Sequence, residues 1–153
     1  MQKWLLCVVV MKRPTHVLHA SHVSTTGHET VVLRSPDTDV TVLGVAHSQD
    51  VEARIIFLTG TKQRRRYIDL TAIGRQLGHH VCQGLLALHS LTGCDSTSAF
   101  GGIGKSSAFT LLTTNADVQL CLGKIGCDFE LLQNPEVSKA ASKLVCQTVW
   151  AAL

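Results

Sequence analysis

The order of apolar and polar positions divides the chain into a strand-rich first half and a helical second half. Val31-Val32-Leu33 is a short β-branched run entered from Gly27, the pattern of a buried strand. Ser35-Pro36 stops that run in a way that suits a helix start, with Ser as N-cap and Pro at the first helical position. Val40, Leu43 and His47 then share one helical stripe, while the alternation of Val40 and Val42 keeps a strand open. Ala53–Leu58 and Arg66–Leu70 are predicted as the next strands, and the glycine-containing basic turn Thr59–Arg65 closes them into a hairpin. After Thr71 the period changes. Ile73, Leu77, Val81, Leu85, Leu88 and Leu91 recur at helical spacing, and helical patterns continue over Lys105–Leu112 and Glu136–Trp150. Strands alternating with helices predict an α/β fold with a mainly parallel sheet and an appended helical region.

The longest apolar run, Trp4–Met11, has eight residues, against the ~20 that a membrane-spanning helix needs. It faintly imitates a secretory signal, but Lys12-Arg13-Pro14 stands where a small-residue cleavage site belongs. The run reads as a buried strand or as a consequence of where the chain begins. At 153 residues, 45% hydrophobic and 16% charged, the chain has the composition of one folded domain with or without an appendage. Those values exclude a disordered tail and a coiled coil. A net charge of +3 suits an acidic partner without demanding one. Cys7, Cys82, Cys94, Cys121, Cys127 and Cys146 contain no C-x-x-C pair and sit mostly in apolar runs, as reduced, buried thiols of an intracellular protein do. Their spacing also argues against zinc.

Three carboxylates stand out by context. Asp37 and Asp39 follow the C-terminal end of a predicted strand, where open α/β sheets keep their ligand crevice. Asp95 follows a long apolar helix and precedes the polar, glycine-rich stretch Ser96–Gly104. Carboxylates in a crevice attract hard divalent cations, and two such ions ~4 Å apart drive in-line phosphodiester cleavage. The alternative for Asp37 is a helix-capping role that complements the helix dipole. Gly101-Gly-Ile-Gly-Lys-Ser106 fails the nucleotide-loop pattern, because Ala99 stands where its first glycine belongs and no apolar strand precedes it. It reads instead as a glycine turn opening a helix at Lys105, where N–H groups, the dipole and the Lys charge form an anion site. A plain glycine turn between packed helices is the alternative. Lys62, Arg64, Arg65 and Arg66 put four cations into five residues, suited to a phosphate backbone or to a solvated loop tip. His16, His19 and His22 are spaced like a metal ladder but lack an acidic or thiol partner, so a solvated polar face is the reading there. His79-His80 is predicted to end a helix, since imidazolium is favoured at a C-terminus.

Taken together, Arg34-Ser-Pro-Asp-Thr-Asp-Val40, Leu85-Leu-Ala-Leu-His-Ser-Leu-Thr-Gly-Cys-Asp95 and Gly102-Ile-Gly-Lys105 resemble the PIN-like nuclease domain of the flap endonuclease/XPG superfamily. The closest likeness is to its uncharacterised, transposon-associated animal branch, which carries similar Thr-Gly-Thr and Arg-Tyr-Ile-Asp strings. The likeness covers about residues 15 to 125. It implies a PIN-like core over 15–80 after an atypical segment 1–14, a helix–turn–helix DNA clamp over 81–125 and a C-terminal helix over 126–153. It further implies Asp37, Asp39 and Asp95 as catalytic and metal-site carboxylates for Mg²⁺ or Mn²⁺. Gly102, Gly104 and Lys105 would face a DNA phosphate, with Lys62, Arg64, Arg65 and Arg66 as further nucleic-acid contacts. The implied activity is structure-specific hydrolysis of flap or branched DNA, with a nuclear location and no membrane. This chain departs from the family in two respects that bear on activity, of which the first is that the family's N-terminal strand, with another metal Asp, is missing. The second is that no carboxylate stands between Met1 and His28, where related sequences place an acidic cluster, and Lys12 and Arg13 occupy that stretch. The departures imply an N-terminally incomplete or weakly active nuclease. The alternative is a non-catalytic nucleic-acid-binding or scaffold remnant of a mobile-element gene.

Overall fold

Leu6–Val10 forms β1 and pairs in parallel with β2, Thr30–Arg34, through the helix α1, His16–Thr25, that connects them. A strand therefore stands where the family resemblance implied none, and it contains no carboxylate. The computed structural model describes residues 6–10, 16–61, 63–95, 97–99 and 104–125 and the helical positions 135, 138, 142 and 146. From β2 the chain passes through α2, Asp39–Ala46, into β3, Arg54–Thr59, again parallel to its predecessor. β4, Arg66–Asp69, then turns back antiparallel to β3, giving the order β1-β2-β3-β4. The sheet is therefore mainly parallel with one antiparallel edge strand, and α3, Leu70–Leu77, follows directly. The predicted strand Arg66–Leu70 ends one residue early, because Leu70 begins that helix.

Register explains why β2 was readable. Val31 and Leu33 align with Ile55 and Phe57 on one sheet face, and all four are buried. Val32 is buried on the other face, so the strand reads as a continuous apolar run, as central parallel strands do. Two successive parallel crossovers step across the sheet in the same direction, and α1 and α2 lie in contact. Gly44 and Gly74 sit inside helices, where glycine ordinarily costs roughly 1 kcal/mol against Ala. A side chain on Gly44 would strike Leu70, and one on Gly74 would strike Ser48. Those glycines let α2 and α3 pack closely, with the buried Ser48 hydroxyl donating to the Val45 carbonyl at 2.8 Å.

The chain divides into two compact units, Met1–Gln76 and Leu77–Leu153, so α4, His79–Leu91, falls wholly in the second, where the expected boundary cut at 80. The long stripe from Ile73 to Leu91 is two helices rather than one, broken at Gly78 with φ +81°. His79-His80 accordingly opens α4 instead of ending a helix. α5, Lys105–Thr114, and α6, Ala116–Lys124, complete the described part of this unit. Its core is Val81, Ala87, Leu88, Ala108, Leu112, Val118 and Leu122. Gly84 makes the packing close: a Cβ there would stand 2.8 Å from Leu112 and 3.2 Å from Leu122. Asn115 separates α5 from α6 and caps the latter, its side-chain oxygen accepting the N–H groups of Asp117 and Val118 at 3.0 and 3.2 Å. Of the predicted helix Glu136–Trp150, only Ser138, Ser142 and Cys146 are described, all helical, and the remainder lies outside the described residues.

No helix among the described residues is long and apolar enough to cross a membrane. Cys82 and Cys121 are buried thiols, as expected, and burial pushes the Cys121 thiol up, only partly offset by Lys124. Cys146 departs from that expectation and is exposed.

Candidate functional site

The segment Arg34–Asp39 leaves β2 through two nested side-chain turns. The buried Ser35 hydroxyl accepts the Asp37 N–H at 3.1 Å, and Asp37 Oδ1 accepts the Asp39 N–H at 2.9 Å. This local bonding corrects the predicted helix start. With Ser35 engaged two residues on, the chain turns once more before winding, and α2 begins at Asp39 with Thr38 as its N-cap. The Thr38 carbonyl accepts the N–H groups of Thr41 and Val42, but its side chain caps nothing. The buried stripe of α2 is Val40, Gly44 and Val45, while Leu43 is only half-buried.

Asp37 and Asp39 are thus joined by a hydrogen bond at the N-terminus of α2, just past the C-terminal end of a buried parallel strand. Asp37 is exposed and Asp39 half-buried. The helix dipole favours negative charge at both positions. The pair offers hard carboxylate oxygens, and Mg²⁺ or Mn²⁺ takes one or two of these plus water. Asp37 keeps a second oxygen beyond the one that accepts the Asp39 N–H, so the donor set fits such an ion.

Asp95 belongs to the second unit. Helix α4 ends at Leu91, where the Thr92 N–H and hydroxyl both donate to the Leu88 carbonyl at 2.9 Å. Gly93 then takes φ +88°, and a Cβ there would lie 2.8 Å from the Ala99 side chain and 3.0 Å from its nitrogen. Only glycine fits both demands. Cys94 and Thr97 exchange backbone hydrogen bonds of 3.1 and 3.2 Å, and the Thr97 hydroxyl donates back to the Ser90 carbonyl at 2.9 Å. Asp95 is exposed at the tip of this tight turn. The Gly-Cys-Asp string is therefore a built loop, anchored to the last turn of its helix.

Gly104 is the N-cap of α5, and Lys105, Ser106 and Ser107 form an exposed first turn without a carboxylate. Gly104 has extended backbone, and a Cβ there would meet nothing nearer than Ser107 Oγ at 3.9 Å. Among the described residues nothing requires glycine there; a helix N-terminus favours an anion. Gly102 lies outside the described residues, as does Lys62. Arg64, Arg65 and Arg66 are exposed at the β3–β4 hairpin, Arg66 as the first residue of β4 opposite Thr59. Gly60 forms the turn with φ +92°, and the Arg64 N–H donates to the Thr61 carbonyl at 2.9 Å. His19 is half-buried and His22 exposed on α1, which suits a solvated face.

Sequence reading missed Asp69. Its Oδ1 accepts the Ala72 N–H at 2.9 Å, capping α3, while its Oδ2 accepts from Arg54 at 2.7 and 2.8 Å. Burial pushes the Asp69 carboxyl upward, but the Ala72 N–H, the Arg54 guanidinium and the charge of Arg75 outweigh it and hold the group below its ordinary value. The legible signal was an Asp directly before an apolar helical run, which is an N-cap pattern. No family model, curated protein or solved structure matches this chain.

Proposed function

We propose that this chain is a metal-dependent, nuclease-like protein of PIN-like type, acting on the phosphodiester backbone of flap or branched DNA. One observation carries the reading. The D-x-D pair stands at the carboxyl end of a buried parallel strand and the start of a helix, where open α/β sheets bind ligands. The reading assigns Asp37, Asp39 and Asp95 as ligands of Mg²⁺ or Mn²⁺. A divalent cation lowers the pKa of water and offsets charge on phosphodiester oxygens. Within the chain, Asp37 fixes Asp39 by their hydrogen bond, and Gly93 holds the turn that presents Asp95. The open N-terminus of α5 with Lys105 grips a backbone phosphate, and α4–α6 act as the DNA clamp. Arg64, Arg65 and Arg66 add contacts that carry no sequence information. A nuclear location follows from this reading.

A second reading has its own observation. Helix α1 precedes the D-x-D strand and contains no carboxylate. On that basis the chain binds DNA through Lys105 and the basic hairpin without cleaving it, as a remnant of a mobile-element gene.

Cleavage of an end-labelled 5′-flap duplex in Mn²⁺ separates the two. The first reading expects cleavage that chelation abolishes and that Asp95→Ala removes while duplex affinity stays within about two-fold. Binding without cleavage would favour the second reading, and cleavage that survives Asp95→Ala would displace the site.

A further inference from the structure

Tyr67 is the chain's single tyrosine and remains 66% exposed in the middle of a β-strand. Its register makes that exposure specific. Ile68 aligns with the buried Phe57, whereas Tyr67 aligns with Leu58, so Tyr67 stands on the opposite sheet face. That face of the hairpin carries Ile56 and Leu58, both half-buried, and Arg54 bonded to Asp69. Immediately before Tyr67 come Arg64, Arg65 and Arg66, all exposed and without an ion pair among the described residues. β4 is the outer strand of the sheet, so its far edge is not paired within the sheet.

An aromatic ring beside three cations matches a polyanion whose units carry flat apolar rings. A polyacidic peptide such as polyglutamate supplies the charge but not a flat ring on every unit. Duplex DNA supplies the charge but keeps its rings stacked inside. We propose that the β3–β4 hairpin is a stacking platform for single-stranded DNA, with Tyr67 against one base and Arg64 and Arg65, in the turn that leads into the strand, on the flanking phosphates. The proposal rests on the nucleic-acid reading of the basic hairpin and deepens it, assigning this element to an unpaired strand such as a flap.

The test is fluorescence anisotropy with a labelled oligothymidylate, an abasic strand of equal length, a matched duplex, an oligouridylate and polyglutamate as competitor. Tyr67→Ala lowers oligothymidylate affinity roughly 5- to 150-fold, the 1–3 kcal/mol of a base–aromatic stack at about 1.4 kcal/mol per tenfold. Tyr67→Phe restores it, and neither substitution changes affinity for the abasic strand or the duplex. Arg65→Gln weakens all strands and lowers the salt slope by about 0.7. An exposed side chain is replaced in each case, so the fold is unaffected, and circular dichroism verifies it. Oligothymidylate binding unchanged by Tyr67→Ala would overturn the platform while leaving the proposed nuclease-like function standing. Failure of the wild type to bind any nucleic acid would overturn both. Tighter binding of oligouridylate, or equal competition by polyglutamate, would overturn the assignment to single-stranded DNA.

Discussion

Replacing Asp69 with Ala removes two interactions that meet on one carboxylate. The first is the cap on α3, the Ala72 N–H on Oδ1 at 2.9 Å, and loss of such a cap costs about 0.5–2 kcal/mol. The second is the ion pair with Arg54, at 2.7 Å but with the Arg side chain 61% exposed, so solvent screening limits it to about 0.2–1 kcal/mol. Asp69→Ala should therefore destabilise by roughly 1–2 kcal/mol, most of it from the cap. Urea unfolding followed by far-ultraviolet circular dichroism should show a midpoint lower by on the order of 1 M. Asp69→Asn keeps an oxygen for the Ala72 N–H and should lose only the ion-pair part, matching Arg54→Ala. The pH dependence follows from the lowered carboxyl. Its contribution is complete above the unfolded value near 3.9 and is lost as pH falls through the lower, folded value. The Asp69→Ala penalty should accordingly shrink in strong acid. If Asn costs as much as Ala at neutral pH, the charge and not the cap dominates, and this reasoning is wrong.

Three further outcomes are expected. Gly93→Ala should destabilise by about 1–3 kcal/mol, from left-handed backbone and overpacking on Ala99, and should reduce any activity that depends on Asp95; a melting temperature equal to wild type would contradict it. Lys105→Ala should weaken all DNA duplexes alike and flatten the salt slope by about one phosphate contact, checked by anisotropy over a salt series; a sequence-selective loss would rule out a backbone contact. In the folded protein a thiol reagent should label Cys146 ahead of Cys82 and Cys121, read by mass spectrometry of the modified peptides; prior labelling of either buried thiol would contradict their placement.

The legible parts of the fold are those where one local signal met no competitor. Val31-Val32-Leu33 is buried on both sheet faces, and Gly60 demands a turn, so β2 and the β3–β4 hairpin follow from pattern alone. Ser35-Pro36 misled because a serine hydroxyl has more than one backbone N–H within reach, and here it takes Asp37 instead of capping a helix. The stripe from Ile73 to Leu91 hid a break, because Gly78 interrupts the chain without interrupting the apolar period. α6 lies within the helical second half but was not marked out as a helix of its own, although Asn115 caps it, since Ala116–Lys124 mixes polar residues among its apolar ones. For the site, the sequence shows which carboxylates follow elements, Asp37 and Asp39 after β2 and Asp95 after α4. It does not show that Asp37 spends one oxygen on Asp39, and although the N-cap pattern before α3 marks Asp69 as a cap, nothing local shows its ion pair with Arg54 fifteen residues away.

The central claim is that the D-x-D pair is a hard-cation site. Electron paramagnetic resonance of free Mn²⁺ during titration of the whole chain tests it most directly, beside Asp39→Asn and Asp95→Ala. The account predicts saturable Mn²⁺ uptake that Mg²⁺ displaces, weakened at least ten-fold in Asp39→Asn and also weakened in Asp95→Ala, with circular dichroism unchanged. Mn²⁺ uptake equal in wild type and Asp39→Asn, or none in the wild type, would contradict it.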